Sequence, residues 1–250
     1  MTARKTTRRK AAPPPPEPEA PPAPPLRRRL RRRLRRWALT GAGWGVVTAI
    51  LLVLFFGLVN PPTTPYMMSE SLRLGSVDHE WADWDEIAPV VARSVVAAED
   101  ANFCLHWGFD MTAIRAAIDA GGNRGASTLS QQVTKNVFLW QGRSWPRKAL
   151  EAMMTPLVET IWTKRRILEV YLNVAEFDEG VFGIRAASEH YFGVEPARLT
   201  AQQAARLAAV LPDPKVRSAA SPGPVVRRRS AAILDGANTI RRDGRAACFE

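Results

Sequence analysis

The sequence predicts a mainly α-helical domain preceded by a single transmembrane helix, and three observations carry that reading. An apolar run of 23 residues without an ionisable side chain stands near the N-terminus. Downstream, apolar residues recur at helical spacing between recognisable start and stop signals. No stretch shows sustained period-two alternation, so sheet content is expected to be small.

The first 36 residues are a tail unlike the rest. AAPPPPEPEAPPAPP at 11–25 has almost nothing to bury and is expected to be an extended, disordered spacer. The formal net charge of +11 also belongs to this tail, which carries 13 Lys and Arg against Glu17 and Glu19. The remaining 214 residues hold 22 basic and 22 acidic groups, so a basic nucleic-acid-binding domain is excluded.

Residues 37–59, WALTGAGWGVVTAILLVLFFGLV, span roughly 34 Å as a helix, against a bilayer core of about 30 Å. The run is longer than a signal-peptide core and lacks a small-x-small cleavage site before Asn60-Pro61-Pro62, so an uncleaved anchor is expected. Eight arginines at 27–36 place its N-terminus in the cytoplasm and residues 60–250 on the outer, periplasmic side of the plasma membrane.

Within 60–250 a buried helix is expected over Ile87 to Ala98, and an Ala/Ile-rich helix over Met111 to Ala120, stopped by Gly121-Gly122. Arg147 to Thr163 and Lys164 to Val174 read as amphipathic helices, the first with a kink at Pro156. Thr200 with Gln203 forms a capping box that opens a helix running to Val210. Cys104 and Cys248 have no metal-ligand spacing around them, and no zinc site is expected. In an oxidising compartment they could form one disulfide, but they are 144 positions apart and spacing does not test the geometry, so the pairing stays open.

Three segments carry candidate chemistry. AAEDANFCLHWGFD at 97–110 sends Glu99 and Asp100 out of a buried helix into an aromatic turn with His106 and Asp110. That setting suits either a general acid/base carboxylate or a helix end with solvated acids. RGASTLSQQVTKNVFL at 124–139 reads as a polar loop; Ser127, Thr128, Gln132, Lys135 and Asn136 suit a sugar or phosphate, as they also suit plain solvation. GRSWPRKALE at 142–151 gathers Arg143, Arg147, Lys148 and Glu151, either a diphosphate cradle or an exposed helix start with an Arg147–Glu151 pair. VFLW at 137–140 with Trp145 suits either the bilayer surface or the core.

In order along the chain, E-D-x-x-F-x-x-H-x-G-x-D at Glu99 to Asp110 is followed by G-A-S-T-x-x-Q-Q-x-x-K-N at Gly125 to Asn136 and R-K-x-x-E at Arg147 to Glu151. I-L-E-x-Y-L-N at Ile167 to Asn173, G-x-x-G-I-x-A-A-x-x-Y-F at Gly180 to Phe192 and L-T-x-x-x-A-A-x-L-A-A-V-L-P at Leu199 to Pro212 complete the series. Over about 150 residues the chain resembles the peptidoglycan glycosyltransferases of family 51, in particular the monofunctional biosynthetic type.

The resemblance implies a lysozyme-like helical catalytic lobe with a smaller membrane-proximal lobe. It implies transfer of a growing glycan strand from undecaprenyl diphosphate to the 4-hydroxyl of lipid II, with inversion. Glu99 would be the catalytic base, and Glu151 would assist the leaving diphosphate, directly or through a divalent cation, magnesium or manganese. No other cofactor is implied. Asp100, Ser127, Thr128, Gln132, Lys135, Asn136, Arg143, Arg147 and Lys148 would bind substrate. His106 is expected to hold the turn by hydrogen bonding, and Tyr171 and Asn173 to be structural. The chain ends at Glu250, so strand cross-linking is expected from other wall-synthesis enzymes. A wall-cleaving hydrolase or lytic transglycosylase is the rival, though it has no need of the basic cluster; an inactive anchored scaffold is the second.

Overall fold

The computed structural model describes residues 26–121, 125–142 and 144–250. The Pro-rich spacer and Arg143 lie outside them. The chain divides after Val46. The described part of the first unit, residues 26–46, is helical and belongs to α1 (Leu26–Leu58). Residues 30–58 are long and apolar enough to cross a membrane, with a mean hydropathy of 2.1 over their most apolar window.

The second unit begins with the end of α1. There Val53 is fully buried and its carbonyl accepts the indole N–H of Trp162 at 2.7 Å. The Arg166 guanidinium donates to the carbonyls of Phe56 and Val59 at 3.0 and 3.1 Å and to Asn60 Oδ1 at 2.8 Å. A helix end leaves its last carbonyls without intrahelical partners, and Arg166 supplies them.

The helix expected over 37–59 begins earlier, at Leu26, because the arginine-rich stretch 26–36 continues it, while the helices predicted within 60–250 form within two residues of their expected bounds. Pro89 opens α3 (Pro89–Glu99) from the N1 position, where its missing N–H is no loss. Asp110 caps α4 (Met111–Asp119), α6 (Trp145–Ile161) continues through Pro156, and α7 (Lys164–Val174) and α9 (Ala201–Val210) begin at the caps Thr163 and Thr200. Three further helices are α2 (Pro65–Leu74), α8 (Gly183–Phe192) and α10 (Pro224–Arg242). The sheet is small: β1 (Asp78–His79) runs parallel to β3 (Val181–Phe182), which pairs antiparallel with β2 (Glu176–Asp178). Strands of two or three residues are too short to show an alternating pattern.

The segment at 124–139 corrects the expectation of a loop, because its larger part is helix α5 (Leu129–Phe138). Thr128 Oγ1 accepts the N–H of Gln131 at 3.3 Å while Gln131 Oε1 accepts the N–H of Thr128 at 3.1 Å, a reciprocal cap. The segment reads as polar because α5 buries polar side chains, Ser130, Gln131 and Thr134 among them.

Packing sorts the helices into two neighbourhoods of one core. Helices α3, α9 and α10 pack on one another, while α5 packs on α6, α7 and α2. The turn after α3 crosses between them and touches α6 at Gly108. With φ of +85° and a Cβ that would stand 2.8 Å from Thr155 Cγ2, position 108 accepts only glycine without displacement.

Cys104 and Cys248, whose pairing the sequence left open, form a disulfide with Cα atoms 5.6 Å apart. Folding supplies the proximity that spacing could not show: Phe103 lies against Phe249, and Arg245 donates to the carbonyl of Ala101 at 3.0 Å. Replacing both cysteines with serine is expected to lower stability by about 2–5 kcal/mol in equilibrium denaturation, and a reductant should destabilise the wild type but not the double variant.

Candidate active site

Glu99 ends α3 and projects into a cleft of about 670 Å³ lined by Asn102, Thr112, Ser127, Gln132 and Arg229. Its side chain is 14% exposed, so it is reachable from the cleft yet held on both oxygens. Oε2 accepts the Gln132 amide N–H at 3.1 Å, and Oε1 accepts a guanidinium N–H of Arg229 at 3.2 Å. Gln132 is itself oriented by Tyr171, whose hydroxyl donates to Gln132 Oε1 at 3.3 Å. Burial, reinforced by the Glu99 charge, raises the Tyr171 pKa well above the usual tyrosine range, so Tyr171 remains a donor. With Tyr171 donating to its oxygen, the Gln132 amide presents N–H to Glu99.

Asp100 is buried and turned to internal partners. Oδ1 pairs with His106 Nε2 at 2.8 Å, and Oδ2 accepts the backbone N–H of Leu129 at the start of α5, at 2.9 Å. His106 serves the turn in a second way, its carbonyl accepting the Lys164 ammonium at 2.9 Å. Thr128, besides capping α5, donates to the carbonyl of Gly108 at 2.7 Å. Asn136 is buried and accepts the Gln141 amide at 3.2 Å. Asn173 exchanges two hydrogen bonds with the backbone of Ala82, as a structural residue would.

The cluster on α6 is buried where a solvated helix start would be exposed. Arg147 donates to Glu151 Oε2 at 2.6 Å and to the carbonyl of Gly142 at 2.9 Å, and Lys148 pairs with Glu151 Oε1. Lys148 also reaches Ser127 Oγ at 3.2 Å. Glu151 is 2% exposed, with both oxygens occupied by cations. Lys135 completes the group. Burial lowers its pKa below the usual 10.5; Glu151 and Glu99 oppose that shift, and Arg147 and Lys148 add to it. Three cations thus stand against one carboxylate, and Lys135 feels both Glu99 and that cluster. Such an excess of positive charge fits an incoming polyanion such as a diphosphate.

Both Glu151 oxygens are engaged by Arg147 and Lys148, and no group of three His, Cys, Asp or Glu residues among those described could by itself hold a metal.

The apolar segment beside the cluster splits between its two readings. Val137 and Leu139 are buried in the core, whereas Trp140 is half exposed and Trp145 is 88% exposed.

A family model described as Transglycosylase matches residues 67–238, which include Glu99, the α6 cluster and the start of α10. The chain belongs to the transglycosylase family. It is 60% identical over 217 residues to the biosynthetic peptidoglycan transglycosylase of Jannaschia sp. (strain CCS1), covering 86% of this chain and 90% of that protein. The protein of the same name from Pseudomonas fluorescens (strain SBW25) is 49% identical over 211 residues, covering 80% and 88%. That of Caulobacter vibrioides is 44% identical over 207 residues, covering 81% and 90%.

Within this transglycosylase the site gathers Glu99, Gln132, Lys135, Ser127, Arg147, Lys148 and Glu151, while Asp100, Thr128 and Asn136 are engaged in holding its walls. Arg229 and the role of Tyr171 were missed by the sequence reading. Pro224 at N1 and the buried spacing Val226, Ser230, Ile233, Ala237 and Ile240 were a legible signal for α10, though not for what Arg229 touches.

The depressed Lys135 pKa means that the fold disfavours its charge. Lys135→Met is expected to raise the melting temperature at pH 7, where that penalty is fully present. The gain should shrink as pH rises through the depressed value toward 10.5, where the wild-type lysine sheds its charge, and thermal melts between pH 7 and 10.5 read it.

Proposed function

We propose that the protein polymerises the glycan strands of peptidoglycan, using lipid II as acceptor and a strand held on undecaprenyl diphosphate as donor. The observation that carries this reading is the adjacency of one cleft carboxylate, Glu99, to a cluster of cations, buried Arg147 and half-buried Lys135 and Lys148. The peptidoglycan transglycosylase names of its relatives point the same way.

A sugar hydroxyl is far too weak an acid to ionise near neutrality, so attack requires a carboxylate that takes the proton as the bond forms. Glu99 accepts the proton of the acceptor 4-hydroxyl. The O4–C1 bond forms on the face opposite the C1–O bond that breaks, which inverts the configuration. The electrons of the broken bond leave with the diphosphate, and Lys135, Arg147, Lys148 and Ser127 stabilise the departing charge. Glu151 sets the positions of Arg147 and Lys148. A wall-cleaving enzyme would expel a sugar hydroxyl and would gain nothing from this cluster.

The apolar helix α1 suits a single-pass anchor in the plasma membrane, the inner membrane of a cell with two. The arginine-rich segment before it favours a cytoplasmic N-terminus and a periplasmic catalytic domain. Lipid-linked substrates then reach the cleft from the same bilayer, with other wall-synthesis enzymes as functional partners.

Polymerisation of purified lipid II tests the reading. Glu99→Gln is expected to lower kcat by about 10²–10⁴ with lipid II binding retained. Glu151→Gln should lose activity together with affinity for the diphosphate. Shortening of finished glycan by the wild type, without polymerisation, would reject the proposal.

A further inference from the structure

Arg229 belongs to α10, beyond the last motif of the sequence series, yet it makes the ion pair of Glu99. One guanidinium nitrogen, Nη2, lies 3.2 Å from Glu99 Oε1 and 3.2 Å from the carbonyl of Ala98. It therefore grips both the carboxylate and the backbone at the end of α3. The grip is set by packing. Val226, Ser230 and Ile233 of α10 are buried, and at Gly236 even a Cβ would come within 3.2 Å of Ala97 Cβ. The guanidinium is not saturated in this position: Nε is buried without a hydrogen-bond partner among the described residues.

Stability does not account for such an arrangement. The Arg229 side chain is one-third exposed, and ion pairs of that kind contribute little to stability. Chemistry does account for it. A base acting on a hydroxyl must be ionised and must keep one lone pair pointed at the substrate, and a carboxylate with a free rotor satisfies neither demand reliably.

We infer that Arg229 is a positioning residue of the polymerase reaction, fixing the rotation of Glu99 through the carboxylate oxygen that Gln132 does not hold. The inference rests on the proposed role of Glu99 as base. The charged and titratable groups facing Glu99 are Arg229 from α10, Lys135 from α5 and Tyr171 from α7, with Asp100 adjacent in the chain; Gln132 is the neutral donor. Lys135 is shared with the diphosphate cluster, whereas Arg229 contacts Glu99 directly.

The test measures kcat and KM for lipid II in the full chain carrying Arg229→Gln, Arg229→Met or Arg229→Lys, with melting temperature recorded for each. The neutral variants are expected to lose about tenfold or more in kcat with KM within about twofold. Arg229→Lys, which keeps a cationic donor on α10, should recover most of kcat. Two neutral variants of different stem guard against a folding failure in one. An unchanged kcat in the folded neutral variants, or a loss confined to KM, would overturn the inference while leaving Glu99 as base. Failure of wild type to polymerise would instead remove the reading on which it rests.

Discussion

The carboxylate of Asp100 is the joint on which the site depends. It is buried, it accepts the first free N–H of α5, and it pairs with His106 across the turn. A helix N-terminus presents unpartnered donors and a positive dipole end, so an anion placed there is strongly held. This one contact fixes the end of α3 against the start of α5. Glu99 immediately precedes Asp100 and Gln132 lies one turn into α5, so their meeting follows from that anchorage. Asp100 thus acts as the foundation of its neighbour, Glu99.

A second polar joint braces the first. Glu159 of α6 is buried and receives both the Ser130 hydroxyl of α5 and the Lys164 ammonium of α7, and Lys164 also holds the carbonyl of His106 and lies 4.4 Å above the centroid of the Phe103 ring. Buried groups of this kind are stabilising only when all are satisfied, and a fully satisfied network admits few alternative packings. Gly108 lets the turn settle against α6 without a side chain between them. The cleft is therefore walled by elements whose positions are fixed by directional bonds as well as by apolar packing.

The caps explain how much of the fold was legible in the sequence. Thr200 announced its helix because apolar residues at helical spacing follow it. Thr128 and Gln131 carry the same capping signal, but α5 buries hydroxyls and amides and so resembles a loop in composition. The motif residues located the cleft, since Glu99, Lys135 and the α6 cluster do converge. Which of those residues face the cleft was not legible. Asp100 and Thr128 both line the cleft, and each also holds the frame through a partner, Leu129 N–H and Gly108 C=O, that only folding brings near. Arg229 was hidden for the converse reason: an arginine in a run of three on an amphipathic helix reads as solvated surface, and only the packing of α10 on α3 turns it toward Glu99.

The disulfide has a consequence for biogenesis. It fastens the turn that follows Glu99 to a cysteine 144 positions later, so the clasp cannot close on a partly emerged domain. Closing the turn after Glu99 therefore needs nearly the whole domain to be present together with conditions that oxidise thiols. Under reducing conditions that turn would stay unclasped, whatever the state of the rest of the fold.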